Sequence, residues 1–327
     1  MRELLFALRE FAPRRDFVVY AQRNISPTML AGWPIVPLPR VSSLLRVPIT
    51  LPRAVQRSGA DLLHVQYNAP PVSPCPFVVS VHDVGWIKYP QFFTPGMRSR
   101  LALLTPNTLR RARRVFALTQ AIANEIAEVY DTPLDRIDVV SPAVDPVFRP
   151  DHADSALKAV LERYHLPKDF VLYTGALQPR KNLTRLATAF SRLVKKGLPH
   201  SLVIAGRRAW LHKGMLEDIE RLKLGDRLHF TGYVEQADLP CLYAAASAFV
   251  YVSIYEGFGL PVLEALASGT PVLASSIPAI REVAGDAAEY CEPLDVDDME
   301  GALERVLTDS ALQTTLRDAG PKRAKRF

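Results

Sequence analysis

Cysteine is scarce in this chain, with three among 327 residues, at positions 75, 241 and 291. Their wide spacing fits neither a disulfide framework nor a metal cluster, which favours a reducing compartment, the cytoplasm. Long apolar runs are missing; those present are strand-sized, far short of the roughly 20 residues a spanning helix needs. The opening stretch Met1 to Glu10 is amphipathic and charged and does not read as a signal peptide. Zinc spacing, a Walker loop and a Gly-x-Ser-x-Gly elbow are all lacking. Lysine is nearly absent from the first half, where Lys88 stands alone among arginines.

What remains is an ordinary globular composition, 48% hydrophobic and 23% charged, of a length that suggests two domains. The net charge of +6 is uneven. Residues 1–148 hold 17 basic and 11 acidic residues, and residues 149–327 hold 23 of each. The surplus is densest at Arg14-Arg15 and at Arg110-Arg111-Ala112-Arg113-Arg114. It reads either as a solvated face or as a surface for an anionic membrane or lipid-phosphate acceptor. No aromatic residues interleave with the basic ones, so nucleic acid is not an expected partner.

The most informative stretch runs from Val250 to Ser275. Ala248 to Val252 is an apolar, strand-like run, and Glu256-Gly257-Phe258-Gly259-Leu260-Pro261-Val262-Leu263-Glu264 follows it. Pro261 stands where a first helical residue belongs, Gly269 where a helix ends, and Thr270 to Ala274 reads as the next strand. The spacing therefore predicts a strand-to-helix turn at the carboxyl edge of a parallel sheet, where open α/β sheets bind ligands. The two glycines would let backbone approach a ligand, and the helix start would favour an anion such as a phosphate. Two carboxylates beside an anion site make sense if they accept hydrogen bonds from neutral hydroxyls. A sugar nucleotide offers both a diphosphate and hydroxyls.

Glu256 and Glu264, with seven residues between them, resemble the paired glutamates of retaining glycosyltransferases of family 4. The surrounding Tyr255 to Val272 is similar to that family almost throughout. The resemblance implies a GT-B architecture, α/β, with two doubly wound Rossmann-like domains facing a cleft. It implies an acceptor-side domain over 1–148 and a nucleotide-sugar domain over 149–327. Against the family, a first strand with its glycine-rich turn is expected to be missing before the opening helix, and a last crossover helix after Phe327. Over the whole chain, units of strand and helix repeat, as a parallel sheet requires.

In the first half, Leu4, Leu5, Leu8 and Phe11 form a helical stripe, and Phe17 to Tyr20 reads as a strand. A proline-rich loop is expected around Pro34, Pro37, Pro39, Pro48 and Pro52. Leu62 to Gln66 and Phe77 to Val81 read as strands, with His64 a satisfied structural histidine and His82-Asp83 at a strand end. The resemblance gives His82 to the donor sugar; Asp83 reads as a loop or tautomer anchor. Val115 to Thr119 is a strand, Gln120 to Tyr130 a helix, Ile137 to Val140 a strand, and 151–154 a linker.

In the second half, Phe170 to Thr174 is a strand, and the loop Gly175 to Asn182 brings Arg180 and Lys181 to the same carboxyl edge. A planar guanidinium and an ammonium point charge make a natural diphosphate clamp. Pro179-Arg180-Lys181-Asn182 resembles the family's donor-phosphate loop in the form frequent among mannosyltransferases of surface polysaccharide pathways, which favours GDP-mannose. Its other form has an arginine at the place of Ala176. Further implied roles are base-binding by backbone of Tyr233 and Val234, ribose-binding by Glu264, sugar hydroxyls on His82 and Glu256, and diphosphate on the amides of Gly257, Phe258, Gly259 and Leu260. Asp295-Val296-Asp297-Asp298 mimics a metal motif but precedes a helix, so a cap is expected there.

Together these imply a metal-independent, retaining enzyme with no cofactor, acting on a glycan or lipid-linked acceptor, cytoplasmic and peripheral at a membrane. Two alternatives stay open. One is a truncated, non-catalytic binder of nucleotide sugars. The other is an epimerase or phosphorylase on the same fold, the latter needing a lysine-bound pyridoxal phosphate.

Overall fold

The computed structural model describes residues 8, 11–12, 16–22, 33–42, 45–207 and 213–327. Leu4 and Leu5 of the expected helical stripe, the Arg14-Arg15 pair, and Arg208 and Trp210 lie outside them. The elements begin with β1 (Val19–Gln22), β2 (Ile35–Leu38), α1 (Leu51–Ser58), β3 (Leu63–Gln66), β4 (Phe77–Ser80), α2 (Gly85–Lys88), α3 (Pro95–Arg111), β5 (Val115–Ala117), α4 (Gln120–Tyr130) and β6 (Ile137–Val139). After them come α5 (Asp154–Arg163), β7 (Phe170–Thr174), α6 (Leu183–Lys195), β8 (Ser201–Ala205), α7 (Lys213–Glu220), β9 (Leu228–Gly232), α8 (Leu239–Ala245) and β10 (Ala248–Tyr251). The chain closes with α9 (Leu260–Ala267), β11 (Val272–Ser275), α10 (Pro278–Ala284), β12 (Glu289–Cys291), α11 (Val296–Thr308) and α12 (Ser310–Ala324).

Contacts group the chain into two units. The smaller comprises Met1–Val81, Ser99–Phe116 and Asp135–Asp138; the larger comprises His82–Arg98, Ala117–Leu134 and Val139–Phe327. In the smaller unit β1 pairs in parallel with β2, and a second sheet has the order β3-β4-β5-β6. The segment expected as a proline-rich loop is partly ordered: Pro37 lies in β2, and a π-helical turn Arg46–Thr50 leads into α1. Among the described strands β2 is paired on one side only, where a residue without an N–H is tolerated. Pro52 stands in the first turn of α1, where an amide has no intrahelical acceptor anyway.

Much of the arginine surplus is spent inside this unit. Arg111 donates to the carbonyls of Pro70 and Pro71 and lies 5.6 Å above the Phe77 ring. Arg114 pairs with Asp138, and Arg136 donates to the carbonyls of Leu109 and Ala112 that end α3. Arg110 and Arg113 are exposed. His64 is satisfied as expected, 2.8 Å from Ser80 Oγ and edge-on to Phe116.

The larger unit holds a six-stranded parallel sheet of order β12-β11-β10-β7-β8-β9. Every residue of β7, β8, β10 and β11 is buried. Strands covered on both faces read as unbroken apolar runs rather than alternating ones, which is why they were legible in the sequence. Chain order reverses between β7 and β10, so the loops after these two strands flank the switch point where a doubly wound sheet opens a crevice. Helices α6 and α11 pack together, as do α9 and α12. Asp295 caps α11 as expected, accepting from the amides of Asp297 and Asp298 at 2.9 and 3.1 Å. Among the described residues no helix is long and apolar enough to cross a membrane.

Candidate functional site

The loops after β7 and β10 meet at this switch point. Behind β7, Pro179–Lys181 forms a 3-10 turn, and the amide of Ile254 donates to the carbonyl of Arg180 at 3.0 Å. Asn182 ends that turn with φ of 63°, a left-handed conformation that Asn tolerates better than most residues. Its Nδ2 donates to the carbonyls of Val252 (3.0 Å) and Pro293 (2.5 Å), tying the β7 loop to the β10 and β12 loops. Sequence reasoning gave Asn182 no role; the signal was an Asn directly after the two cations.

Arg180 and Lys181 converge on Glu256. Lys181 Nζ lies 2.5 Å from Glu256 Oε1 and 2.6 Å from the hydroxyl of Tyr251. Arg180 Nη1 lies 3.1 Å from Glu256 Oε2 and 2.6 Å from the carbonyl of Tyr255. Lys181 and Glu256 are each 7% exposed. Burial by itself would raise the Glu256 pKa; the Lys181 and Arg180 charges outweigh it and hold the carboxyl at about 2. Burial lowers the Lys181 pKa, with Glu256 opposing it. Burial works against the Arg180 charge too, yet Glu256 and Asp83 more than offset it.

The strand end at His82-Asp83 abuts the same turn through its backbone. Asp83 carries a raised pKa, caused by burial and opposed by Arg180, and its Oδ1 accepts from the amide of Gly85 at 3.0 Å, the loop-fixing role expected of it. Burial lowers the His82 pKa, which favours the neutral ring. The glycine of the Glu256-Gly257 turn was expected to admit a ligand. A Cβ on Gly257 would instead lie 1.9 Å from the carbonyl oxygen of His82, so the protein's own backbone takes that space. Tyr255, also missed from sequence, clasps this junction: its hydroxyl accepts from the amide of Val84 (3.0 Å) and donates to Glu125 (2.7 Å).

Helix α9 begins at Leu260, one residue before Pro261, with Gly259 at φ of 93° as its N-cap. Pro261 has no N–H, and the amides of Val262 and Leu263 donate to the Gly259 carbonyl at 2.9 and 3.3 Å, which leaves the Leu260 amide at the helix start without a partner inside the helix. Glu264 sits one turn in and accepts from the Tyr243 hydroxyl at 2.8 Å, which in turn meets Thr174 Oγ1 at the end of β7 at 2.6 Å. With no cation beside it among the described residues, burial pushes its pKa up to about 7, against the Tyr243 hydrogen bond. Tyr233 follows β9 at the sheet edge, exposed, with the Arg207 guanidinium 4.0 Å over its ring; the neighbouring Val234 is buried in the core. The structure thus gathers His82, Arg180, Lys181, Glu256 and the 257–260 turn, and sets Glu264 and Tyr233 apart from them on their own elements. Among the described residues no group of three His, Cys, Asp or Glu side chains is placed to hold a metal ion.

Comparison with known proteins agrees with this frame. The family description "Glycosyltransferase Family 4" matches residues 6–148, and "Glycosyl transferases group 1" matches residues 162–323. The O-antigen chain mannosyltransferase B of Escherichia coli is 31% identical over 252 residues, covering 76% of this chain and 66% of that protein. The serotype-specific mannosyltransferase WbdA of Escherichia coli is 35% identical over 214 residues, covering 63% of this chain and 26% of that protein. The chain therefore spans from about a quarter to about two thirds of these relatives. Among solved structures, Anabaena Alr3699/HepE in complex with UDP and glucose superposes with a TM-score of 0.79 at 19% identity, covering 99% of this chain and 91% of that one. WaaG, a glycosyltransferase involved in lipopolysaccharide biosynthesis, superposes with a TM-score of 0.78 at 19% identity, covering 100% and 91%. These likenesses establish the two-domain, α/β GT-B fold.

Proposed function

The chain belongs to the glycosyltransferases of group 1 and family 4, and on that premise we propose that it moves a sugar from a nucleoside-diphosphate donor to a glycan or lipid-linked acceptor, retaining configuration and needing no metal. Mannose is favoured as the sugar because mannosyltransferases stand among its relatives. The observation that carries this reading is the convergence of Lys181 and Arg180 on Glu256 beside the start of α9.

The chemistry follows from what those groups have left to give. An ammonium has three donors; Tyr251 and Glu256 take two of those on Lys181. A guanidinium has five, and among the described residues Arg180 commits only Nη1, to Tyr255 and Glu256. The remaining donors, with the amides of the 257–260 turn, would meet the diphosphate as negative charge grows on it. Preorganised donors of this kind supply about 3–4 kcal/mol each in well-studied sites. Glu256, ionised at neutral pH with its charge offset by Lys181 and Arg180, would accept from sugar hydroxyls, and the His82 ring would accept or donate. Glu264 would serve the ribose, and backbone at Tyr233 and Val234 the base. The proposed setting is the cytoplasmic face of a membrane, approached peripherally through exposed arginines such as Arg110 and Arg113.

The test is direct. The purified chain is given GDP-mannose or UDP-glucose with mannose-terminated acceptors, and the anomeric signals of the product are followed by NMR in the presence of EDTA. We expect an axial product from an axial donor at an unchanged rate. Inverted product, or turnover that requires a divalent cation, would overturn the mechanism. Donor binding without transfer or hydrolysis would leave only a binding protein.

A further inference from the structure

A cavity of about 450 Å³ opens in the same larger unit, and none of the clamp side chains lines it. Its volume falls within the range of small-ligand sites, roughly 300–1,000 Å³. On one side stand Tyr89 and Phe92, whose rings lie 6.1 Å apart and within 18° of parallel, with Gln91 between them. On the other side stand Thr184 and Arg185 of the first turn of α6 and Asp218 of α7.

This lining combines flat aromatic surface with an amide, a hydroxyl and a guanidinium, which suits the apolar faces and hydroxyl rims of a pyranose. The charges are internally engaged: Arg185 donates to Asn182 Oδ1 at 3.0 Å, and Asp218 pairs with Arg221 at 2.7 Å. A cation and an anion facing one cavity favour a neutral occupant over a phosphate or an acidic sugar. Position supplies the rest. Pro179 and Ile254 belong to the cavity wall, and Ile254 donates its amide to the carbonyl of Arg180, so this wall backs directly onto the diphosphate clamp.

We propose that this cavity is an acceptor subsite, taking a neutral hexopyranose unit of the acceptor glycan beyond the unit that reacts. The inference rests on the glycosyltransfer reading but is tested without turnover. Saturation-transfer NMR is used to titrate the intact chain with α-mannobiose, maltose, lactose and cellobiose, and with inorganic phosphate as competitor. The variants are Gln91→Ala and Phe92→Ala, with Thr184→Val deciding the matter beside Gln91→Ala should Phe92→Ala fail to fold.

At least one disaccharide is expected to bind saturably, and each variant to weaken it about fivefold, the scale of one lost hydrogen bond or contact. Affinity for GDP and UDP, read separately by calorimetry, should be the same in variants and wild type. The proposal is overturned if no disaccharide binds saturably, if the variants bind as tightly as wild type, or if phosphate displaces the sugar. Loss of nucleotide binding by the wild type would instead strike at the glycosyltransfer reading, and the sugar titration would still report on the cavity.

Discussion

Glu256 and Glu264 flank one turn and one helix start, yet their surroundings oppose each other. Glu256 is buried against two cations and held at about 2; Glu264 is buried against a tyrosine hydroxyl and pushed up to about 7. Both lose hydration, so burial raises both. What separates them is the loop after β7, which brings Arg180 and Lys181 to the first and leaves the second with a neutral partner. A carboxylate that stays charged suits contact with a cationic diphosphate clamp. One that titrates near neutrality suits hydroxyls, to which it can donate or accept.

The sharpest way to break this contrast is to remove the cation. In Lys181→Met, Glu256 keeps only Arg180, and breaking one side of a buried pair costs about 3–5 kcal/mol. Urea unfolding should show that loss, and sugar transfer should fall by about 10²–10³-fold. Adding Glu256→Gln should restore most of the stability but none of the activity. If the double variant regains transfer, the clamp is misassigned.

The pH dependence of stability probes both carboxyls at once. The folded pKa of Glu256 is depressed, so its stabilisation is present above about 4.5 and is lost as pH falls toward about 2. The folded pKa of Glu264 is raised, so its contribution is complete below about 4.5 and is lost as pH rises through about 7. Glu264→Gln should therefore gain on wild type by about 2–3 kcal/mol between pH 5 and pH 8. Urea midpoints at the two values check this, and a gain that does not change with pH contradicts the assignment.

A smaller effect is expected at the tyrosine. Tyr243→Phe removes the one hydrogen bond that opposes the upward shift of Glu264, so the carboxyl should titrate still higher, at a cost of about 1 kcal/mol. A carboxyl-resolved NMR titration reads the direction. Smallest of all in function, Asp295→Ala should cost about 1 kcal/mol through the lost helix cap and leave transfer untouched. It serves as the exposed carboxylate against which the two buried ones are judged.

How much of this was readable beforehand varied with the physics of each segment. Phe170–Thr174 and Gln120–Tyr130 were visible residue for residue, because buried parallel strands and capped helices leave local patterns. Strand Ile35–Leu38 and helix Pro95–Arg111 were hidden by Pro37 and Pro106, whose local preference tertiary pairing and packing overrode. The closing helix Ser310–Ala324 was missed for a similar reason, with Gly320 and Pro321 near its end. At the site, the residue types were legible and their partners were not. Nothing local in the sequence says that Tyr255 reaches Glu125, or that Asn182 holds Val252 and Pro293.

By itself, the order of residues determined a doubly wound domain with two cations and two carboxylates at one edge of a sheet, because strand burial, helix starts and glycine turns are written in short stretches of chain. Only the tertiary structure decided which carboxylate meets the cations, which meets a hydroxyl, and that Gly257 makes room for the carbonyl of His82. Charge and desolvation act through space over a few ångströms. The groups that set them here lie from 21 to 175 positions apart along the chain.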